Sequence, residues 1–253
     1  MAAKFVSKPV DYRQGGVLLE GFLVYDDART AVRKLPGVLV VPEWWGVNDY
    51  VKGRAAKLAA LGYVAFVVDM YGKGVVTTDA KQAAQLSAPF YGSPLMAARA
   101  QAALDQLLAS DLVDPARIAA IGYCFGGSTV QALAYSGALL AGIVSFHGGL
   151  IPVPADAKAK TQAKILICQG AADPFVPKKD RDAFVAAMDE GKFDYQFISY
   201  AGAVHAFTNP DADKMAEQNG LQGKIGYNAA ADHRSWAAMM AFFTEIFAQP
   251  RQP

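Results

Sequence analysis

The sequence predicts an α/β fold, with a mostly parallel central sheet and helices on both faces of that sheet. Short apolar runs rich in valine and isoleucine recur along the chain, and helical stretches separate them. Strands that alternate with helices are typical of a parallel sheet covered on both sides. No Pro/Ser-rich linker, composition shift or internal repeat divides the 253 residues. We therefore expect a single domain over residues 1–253.

The predicted elements begin with a β-rich run at 15–25, which indicates an early hairpin or an edge strand. The valine-rich run at 36–42 predicts a strand buried on both faces. Asn48 and Asp49 are typical helix N-caps, and Gly62 ends the helix that follows them. Further strands are predicted at 63–69, 117–123, 139–146, 164–170 and 194–200, and further helices at 93–109, 125–136, 178–190 and 229–247.

Composition excludes several function classes. Lys and Arg together number 24 against 23 Asp and Glu, and no basic run favours nucleic acid or an acidic membrane surface. Cys124 and Cys168 form no metal-ligand pattern, and so few cysteines are typical of a reduced, intracellular chain. Neither a signal-peptide core nor a run of about 18 apolar residues is present. We expect a cytoplasmic monomer or small homo-oligomer that acts on a small molecule.

The most specific motif is G-Y-C-F-G at 122–126, extended by Gly127. It matches the G-x-S-x-G nucleophile elbow of α/β-hydrolases, with Cys124 in place of serine. The flanking glycines let strand and helix approach each other, and the N-terminus of the following helix favours a thiolate. An isolated cysteine is more often buried and inert. Here the predicted strand before it and helix after it favour the elbow, and with it an α/β-hydrolase fold.

An elbow of this kind needs an acid and then a histidine later in the chain, each after a strand. Asp173 follows the strand predicted at 164–170, and His205 follows the strand predicted at 194–200. Parallel sheets build their sites at these carboxyl ends of strands. Each residue alone could be an ordinary loop residue, but together they appear in the required order. His147 precedes the acid and is expected to be at most a minor contact, while His233 is expected to cap or pack the last helix.

The loop after the first core strand, P-E-W-W-G-V-N at 42–48, places Glu43 where an apolar strand ends. A buried charge there is costly unless it has a role. This loop normally supplies one oxyanion-hole N–H, and the residue after the nucleophile supplies the other. Those positions are the backbone amides of Trp44 and Phe125. The alternative is that Trp44 and Trp45 are core aromatics and Glu43 forms a surface ion pair.

These residues resemble the dienelactone hydrolase (carboxymethylenebutenolidase-like) family. The resemblance runs from about residue 15 to the last helix. It implies hydrolysis of a lactone or ester through an acyl-enzyme, with no metal or organic cofactor. Cys124 would attack the carbonyl, His205 would act as base, Asp173 would orient it, and Glu43 would help to form the thiolate when substrate arrives. The motifs that carry the resemblance are P-E-W-W-G-V-N at 42–48, D-M-Y at 69–71, G-Y-C-F-G-G at 122–127, D-P-F-V-P at 173–177 and G-A-V-H-A-F at 202–207. Around them, the expected substrate contacts are Trp45, Tyr71, Tyr123 and Asn209.

One departure from the family pattern concerns the substrate. Members that act on dienelactone hold its carboxylate with two arginines, and the matching positions here are Ala83 and Asn209. Alanine and asparagine cannot replace a bidentate arginine clamp, although Lys73 or Lys81 would be partial substitutes. The polar segment 209–227 is expected to be a surface excursion near the site that reshapes the mouth of the pocket.

The residues leave three alternatives to a lactone or ester hydrolase. A thioesterase or other acyl-transfer enzyme would use the same triad, and the sequence does not separate the two. A catalytically silent member that binds a small molecule is disfavoured because every triad residue is present. A redox protein that uses Cys124 and Cys168 lacks a C-x-x-C pair.

Overall fold

The computed structural model describes residues 4–248, and within them eight strands form one sheet. The strands are β1 (Phe5–Gln14), β2 (Val17–Asp26), β3 (Leu35–Val41), β4 (Val64–Val67), β5 (Val113–Tyr123), β6 (Gly142–Phe146), β7 (Lys164–Gly170) and β8 (Tyr195–Tyr200). Their order across the sheet is β1-β2-β4-β3-β5-β6-β7-β8. β1 and β2 form an antiparallel hairpin at one edge, and β2 joins β4 in antiparallel pairing. From β4 to β8 every neighbouring pair is parallel.

Helices cover both faces of the sheet. They are α1 (Asp27–Thr30), α2 (Asp49–Ala60), α3 (Ala80–Ser87), α4 (Leu95–Ala109), α5 (Phe125–Tyr135), α6 (Ala157–Lys160), α7 (Lys178–Glu190), α8 (Ala212–Asn219) and α9 (Ala229–Ala248), and a 3-10 helix covers Ala88–Phe90. Successive residues of β3 belong to different core clusters: Leu39 packs with α4 and α5, and Val40 packs with α2 and α9. This alternation is what a strand buried on both faces requires. No helix among residues 4–248 is apolar over a length that would cross a bilayer.

The predicted α/β fold is confirmed, and most predicted elements agree with the structure to within a few residues. Asn48 caps α2 by accepting a hydrogen bond from the backbone N–H of Val51, as predicted. Four helices were not predicted: α1 and α6 are single turns of four residues, and the two longer ones are α3 and α8. The last of these, α8, lies inside the segment 209–227, which is therefore not a purely irregular excursion. Both α3 and α8 have only eight residues, so their periodicity is too short to stand out in the sequence.

The sheet matters for function because of the turn between β5 and α5. Cys124 is the one residue between the two elements, and it has φ 54° and ψ −115°. Residues other than glycine rarely adopt a positive φ. A Cβ atom at Gly122 would overlap the carbonyl oxygen of Gly126, and a Cβ at Gly126 would overlap the carbonyl oxygen of Val41. The two glycines are thus required for the close approach of β3, β5 and α5.

We predict opposite effects of the same substitution at two helical glycines. Gly126→Ala should be strongly destabilising, by more than about 3 kcal/mol, because backbone would have to move. Gly53→Ala should stabilise by about 0.5–1 kcal/mol, because Gly53 is exposed in α2 and a Cβ there meets no atom within 4 Å. Urea unfolding of the two variants and wild type measures both effects, and an unchanged midpoint for Gly126→Ala would contradict the steric argument.

Candidate active site

The structure brings the proposed nucleophile, acid and base to one end of the sheet. Cys124 lines a cavity of about 280 Å³ together with Glu43 and His205. The backbone N–H of Cys124 donates to the carbonyl oxygen of Phe146 at 3.0 Å and to Nδ1 of His147 at 3.1 Å. These hydrogen bonds fix the backbone of the strained turn. The side chain of Cys124 remains partly exposed to the cavity.

Asp173 and His205 form a buried pair. Asp173 lies three residues after β7, and its Oδ2 is 2.8 Å from Nδ1 of His205. The same oxygen accepts from Nε2 of Gln169 at 2.8 Å, and Oδ1 accepts from the backbone N–H of Phe175 at 2.9 Å. A carboxylate held in this way fixes the proton of His205 on Nδ1, which leaves Nε2 for a nucleophile.

The charge of the pair is set by its surroundings. Burial alone lowers the pKa of His205, but the negative charge of a Cys124 thiolate and the hydrogen bond to Asp173 outweigh it. The pKa of His205 is therefore well above its ordinary value. An imidazole with a raised pKa holds a proton more firmly, as a base that takes a proton from an adjacent nucleophile must.

Glu43 lies two residues beyond β3 and is only 2% exposed. Its Oε2 accepts a hydrogen bond of 2.7 Å from Nδ2 of Asn209. Burial raises the pKa of Glu43 to about 7, and the Asn209 hydrogen bond and the positive charges of His205 and Arg54 limit that rise. A carboxyl group with such a pKa exchanges its proton readily near neutral pH.

The two expected oxyanion donors belong to residues that line the cavity, Trp44 and Phe125. Phe125 opens α5, and the first N–H groups of a helix have no acceptor within the helix. Tyr71 supports both residues: its hydroxyl donates to the carbonyl oxygen of Trp44 at 3.0 Å, and its ring stacks on Phe125 with centroids 5.9 Å apart. The hydrogen bond fixes the peptide that joins Trp44 to Trp45, which directly follows the peptide carrying the expected Trp44 donor.

The remaining wall of the cavity is mostly apolar. Segment 209–227 contributes Met215, Leu221 and Ile225. This segment is tied to the base, because the N–H of His205 donates to Lys224 O at 3.2 Å and Gly226 N–H donates to His205 O at 3.0 Å. Among the described residues that line the cavity there is no lysine or arginine.

Of the four expected substrate contacts, Trp45 lines the cavity, and Tyr71 is partly exposed and stays a prediction, whereas Tyr123 and Asn209 need correction. Tyr123 is fully buried in the core, where its ring stacks on Phe146 at 4.9 Å. Asn209 is fully buried and binds Glu43, so it positions that carboxyl group. Tyr71 supports Trp44 and Phe125, as described above.

The structure also places the residues considered for substrate-carboxylate binding. Ala83 is buried on α3 and is absent from the cavity wall. Lys73 binds Asp11 at 2.8 Å and Glu20 at 3.0 Å, and Lys81 lies exposed near the start of α3. Neither lysine lines the cavity, so the expected partial substitution is not found.

His147 lies closer to Cys124 than the sequence suggests. The sequence predicts at most a minor contact. In the structure His147 is fully buried, and its ring accepts a hydrogen bond from the backbone N–H of Cys124. The available signal was its position one residue after β6, at the same end of the sheet as the elbow.

The sheet order, the strained turn at Cys124 and the chain order of nucleophile, acid and histidine define an α/β-hydrolase. Comparison with known proteins gives the family. The sequence profile of the dienelactone hydrolase family matches residues 19–247. This chain belongs to the dienelactone hydrolase family, and it is an ester or lactone hydrolase by class.

Individual relatives agree with this placement. The crystal structure of a dienelactone hydrolase-like promiscuous phosphotriesterase, P91 from metagenomic libraries, has 39% identity and a TM-score of 0.88, covering 96% of this chain and 98% of that one. An uncharacterized protein of Caenorhabditis elegans, K02A2.1, is 34% identical over 59% of this chain and 93% of its own length. A Bradyrhizobium protein named "Probable 2-oxo-3-(5-oxofuran-2-ylidene)propanoate lactonase" is 28% identical over 78% of this chain and 84% of its own length.

The raised pKa of Glu43 predicts a pH-dependent cost in stability. Its pKa is about 7 in the fold against a usual 4.5, so the folded state binds more protons between those values and loses stability as the pH rises. Glu43→Gln should therefore raise the free energy of unfolding by about 3 kcal/mol at pH 8 and by little at pH 4.5. Urea unfolding at both pH values measures the difference.

A matched control for this prediction is Glu217→Gln, which removes an exposed carboxyl group of α8. It should leave the unfolding free energy nearly unchanged at both pH values. A gain for Glu43→Gln that is the same at pH 4.5 and pH 8 would show that burial of the charge is not its cause.

Proposed function

We propose that this protein hydrolyses small, neutral esters or lactones through a thioester on Cys124. The observation that carries the proposal is the placement of Cys124 at a strained turn, in one cavity with His205, whose other ring nitrogen is bound to Asp173. A nucleophile, a base and a group that orients the base are the parts that this chemistry needs.

The first half of the reaction forms the acyl-enzyme. The Cys124 thiol gives its proton to His205, and the thiolate sulfur bonds to the substrate carbonyl carbon. The negative charge passes to the carbonyl oxygen, where the N–H groups of Trp44 and Phe125 stabilise it; one such donor is worth about 10²–10³ in rate. When the carbonyl re-forms, the C–O bond to the leaving group breaks, and the leaving oxygen takes the proton from His205.

The second half releases the acid. A water molecule gives a proton to His205 while its oxygen bonds to the thioester carbon. The resulting tetrahedral intermediate breaks its C–S bond, the sulfur recovers the proton from His205, and the carboxylic acid leaves. In a lactone the alcohol and the acid belong to one product, so a single hydroxy acid is released.

Glu43 supports the first proton transfer in this proposal. With a pKa of about 7, it can hold a proton or accept one at neutral pH. Asn209 donates to one of its oxygens, which keeps the carboxyl group oriented when it ionises. Its second oxygen carries no such bond and is the one available to the thiol.

The preference for neutral substrates rests on the cavity wall. A substrate carboxylate buried there would find no lysine or arginine among the described lining residues. It would also lie close to Glu43 and to the developing charge on Cys124. An unpaired buried carboxylate costs several kcal/mol, whereas apolar groups fit against Met215, Leu221 and Ile225.

Two neighbouring activities use the same parts. A thioester substrate would pass through the same acyl-enzyme, with a thiol as leaving group. A neutral phosphotriester is a second candidate, because the P91 structure, named as a promiscuous phosphotriesterase, shares 39% identity over 96% of the chain. A catalytically silent binding protein is disfavoured, because burying the carboxyl group of Glu43 costs stability. A binding role alone would not need a buried carboxyl group.

We predict that Cys124→Ala abolishes hydrolysis of p-nitrophenyl acetate and of neutral lactones, a loss of at least about 10³ in kcat. Cys124→Ser should be nearly inactive, since the site lacks the stronger base that a hydroxyl needs. Wild type should also show an acetyl adduct on Cys124 by peptide mass spectrometry. The control is Cys168→Ala, a buried cysteine outside the cavity, which should retain activity. Wild-type turnover by Cys124→Ala would remove the basis of the proposal.

A second prediction concerns substrate charge. The kcat/KM for a neutral butenolide should exceed that for the matching carboxymethylene butenolide by at least about tenfold, because the carboxylate is unpaired in the cavity. Leu221→Arg, which adds a cation to the cavity wall, should reduce that ratio, and Leu221→Met serves as its neutral control. A wild-type preference for the carboxylate-bearing lactone would contradict this part of the proposal.

A further inference from the structure

Behind the nucleophile, His147 joins two segments that carry catalytic groups. It follows β6 directly, has φ 41° and is fully buried. Its Nδ1 lies 3.1 Å from the backbone nitrogen of Cys124, and its Nε2 lies 2.7 Å from Oγ1 of Thr208. Thr208 is three residues beyond His205, in the same loop.

The hydrogen-bond partners fix the protonation state of His147. A backbone N–H can only donate, so Nδ1 must be the unprotonated nitrogen, and the ring proton lies on Nε2. Nε2 therefore donates to Thr208, whose hydroxyl also lies 2.6 Å from the hydroxyl of Tyr50. Protonation of Nδ1 would leave the Cys124 N–H facing a second donor.

The surroundings keep this ring neutral. Burial lowers the pKa of His147 well below its usual value, and the positive charges of His205 and Arg54 lower it further. The titratable or charged groups around it are Tyr50 and Arg54 from α2, Tyr123 and Cys124 from the elbow, and His205. The two cations among these groups, Arg54 and His205, disfavour the imidazolium form.

Thr208 is itself held firmly. The Arg54 guanidinium donates to its carbonyl oxygen and also binds Asp232 of α9 at 2.8 Å. The ring of His147 lies edge-on to His205, with centroids 5.4 Å apart, and edge-on to Phe207 at 5.1 Å. Two hydrogen bonds and two ring contacts thus connect the elbow to the loop that carries the base.

We propose that His147 is a positioning residue: as a neutral ring it holds the Cys124 backbone and the His205–Thr208 loop at a fixed separation. It donates no proton to substrate and accepts none. The inference rests on the proposed function only in that it takes Cys124 and His205 as the reacting pair. Its consequence is that cutting the bond to Thr208 should change the reactivity of Cys124, although neither partner touches the cavity.

Two conservative variants cut the same bond from opposite sides. In His147→Asn, the amide oxygen can replace Nδ1 as acceptor for Cys124, and asparagine tolerates the positive φ, but the side chain is too short for Thr208. Thr208→Val removes the hydroxyl and keeps the shape. Thr161→Val is the matched control, since Thr161 is also buried and donates to a carbonyl, that of Ala134 at 3.1 Å, outside the site.

The test measures the pH profile of Cys124 alkylation by iodoacetamide, located by peptide mass spectrometry, together with kcat and KM for p-nitrophenyl acetate. In both variants the pH dependence of Cys124 alkylation should differ from that of wild type. The kcat should fall about tenfold while KM stays within about twofold of wild type. These changes are expected when one hydrogen bond that positions a reacting pair is lost. The double variant should be no worse than either single one, because both remove the same link. Thr161→Val should keep the wild-type profile even if its melting temperature falls.

Two results would overturn the proposal: wild-type alkylation profiles in His147→Asn and Thr208→Val, or losses that multiply in the double variant. The alkylation measurement does not require the protein to turn over a substrate. If wild type hydrolyses no ester while the profile still shifts in both variants, the proposed function fails and the positioning role of His147 stands.

Discussion

The backbone at Cys124 is the constraint on which the rest of the site depends. A cysteine with φ 54° is strained, and the strain persists only because the surrounding chain allows no alternative. The N–H of Cys124 is held by Phe146 and His147, and Gly122 and Gly126 leave no room for a relaxed turn. As a result, the side chain of Cys124 lies at the start of α5, next to the helix N–H groups that favour negative charge.

The site separates the roles of two carboxyl groups by their environments. Asp173 accepts three hydrogen bonds, from Gln169, Phe175 and His205. Glu43 has a single donor, Asn209, and its burial raises its pKa to about 7. Two carboxyl groups near one nucleophile can therefore do different work, one holding the base and the other exchanging a proton. This cost in stability agrees with the role in proton exchange that we propose for Glu43.

The sequence predicted most of the strands, the five longest helices and the loops that carry Cys124, Asp173 and His205. Each of these depends on local patterns: valine-rich runs, cap residues, glycines around Cys124 and the order of loops along the chain. The predictions of substrate contacts were wrong where the direction of a side chain decides whether it reaches the cavity. Tyr123 is adjacent to the nucleophile, yet it still belongs to β5 and its ring packs into the core on Phe146. Asn209 lies in the expected loop, but its side chain is buried and its amide binds Glu43. A resemblance in a motif predicts which loop a residue belongs to. The packing around that loop decides which group its side chain contacts.

Segment 209–227 shows how specificity and catalysis become coupled. Its residues Met215, Leu221 and Ile225 form the apolar wall, and its backbone pairs with His205 through Lys224 and Gly226. The far end of α8 is held by Asn219, which accepts from the N–H of Ala80 at 2.8 Å and donates to Thr78 at 3.1 Å. A change in the wall that shifts this backbone must also shift the base. Substitutions that reshape the pocket in this segment should therefore alter kcat as well as KM, unlike changes at Trp45, which lines the cavity but lies outside this segment.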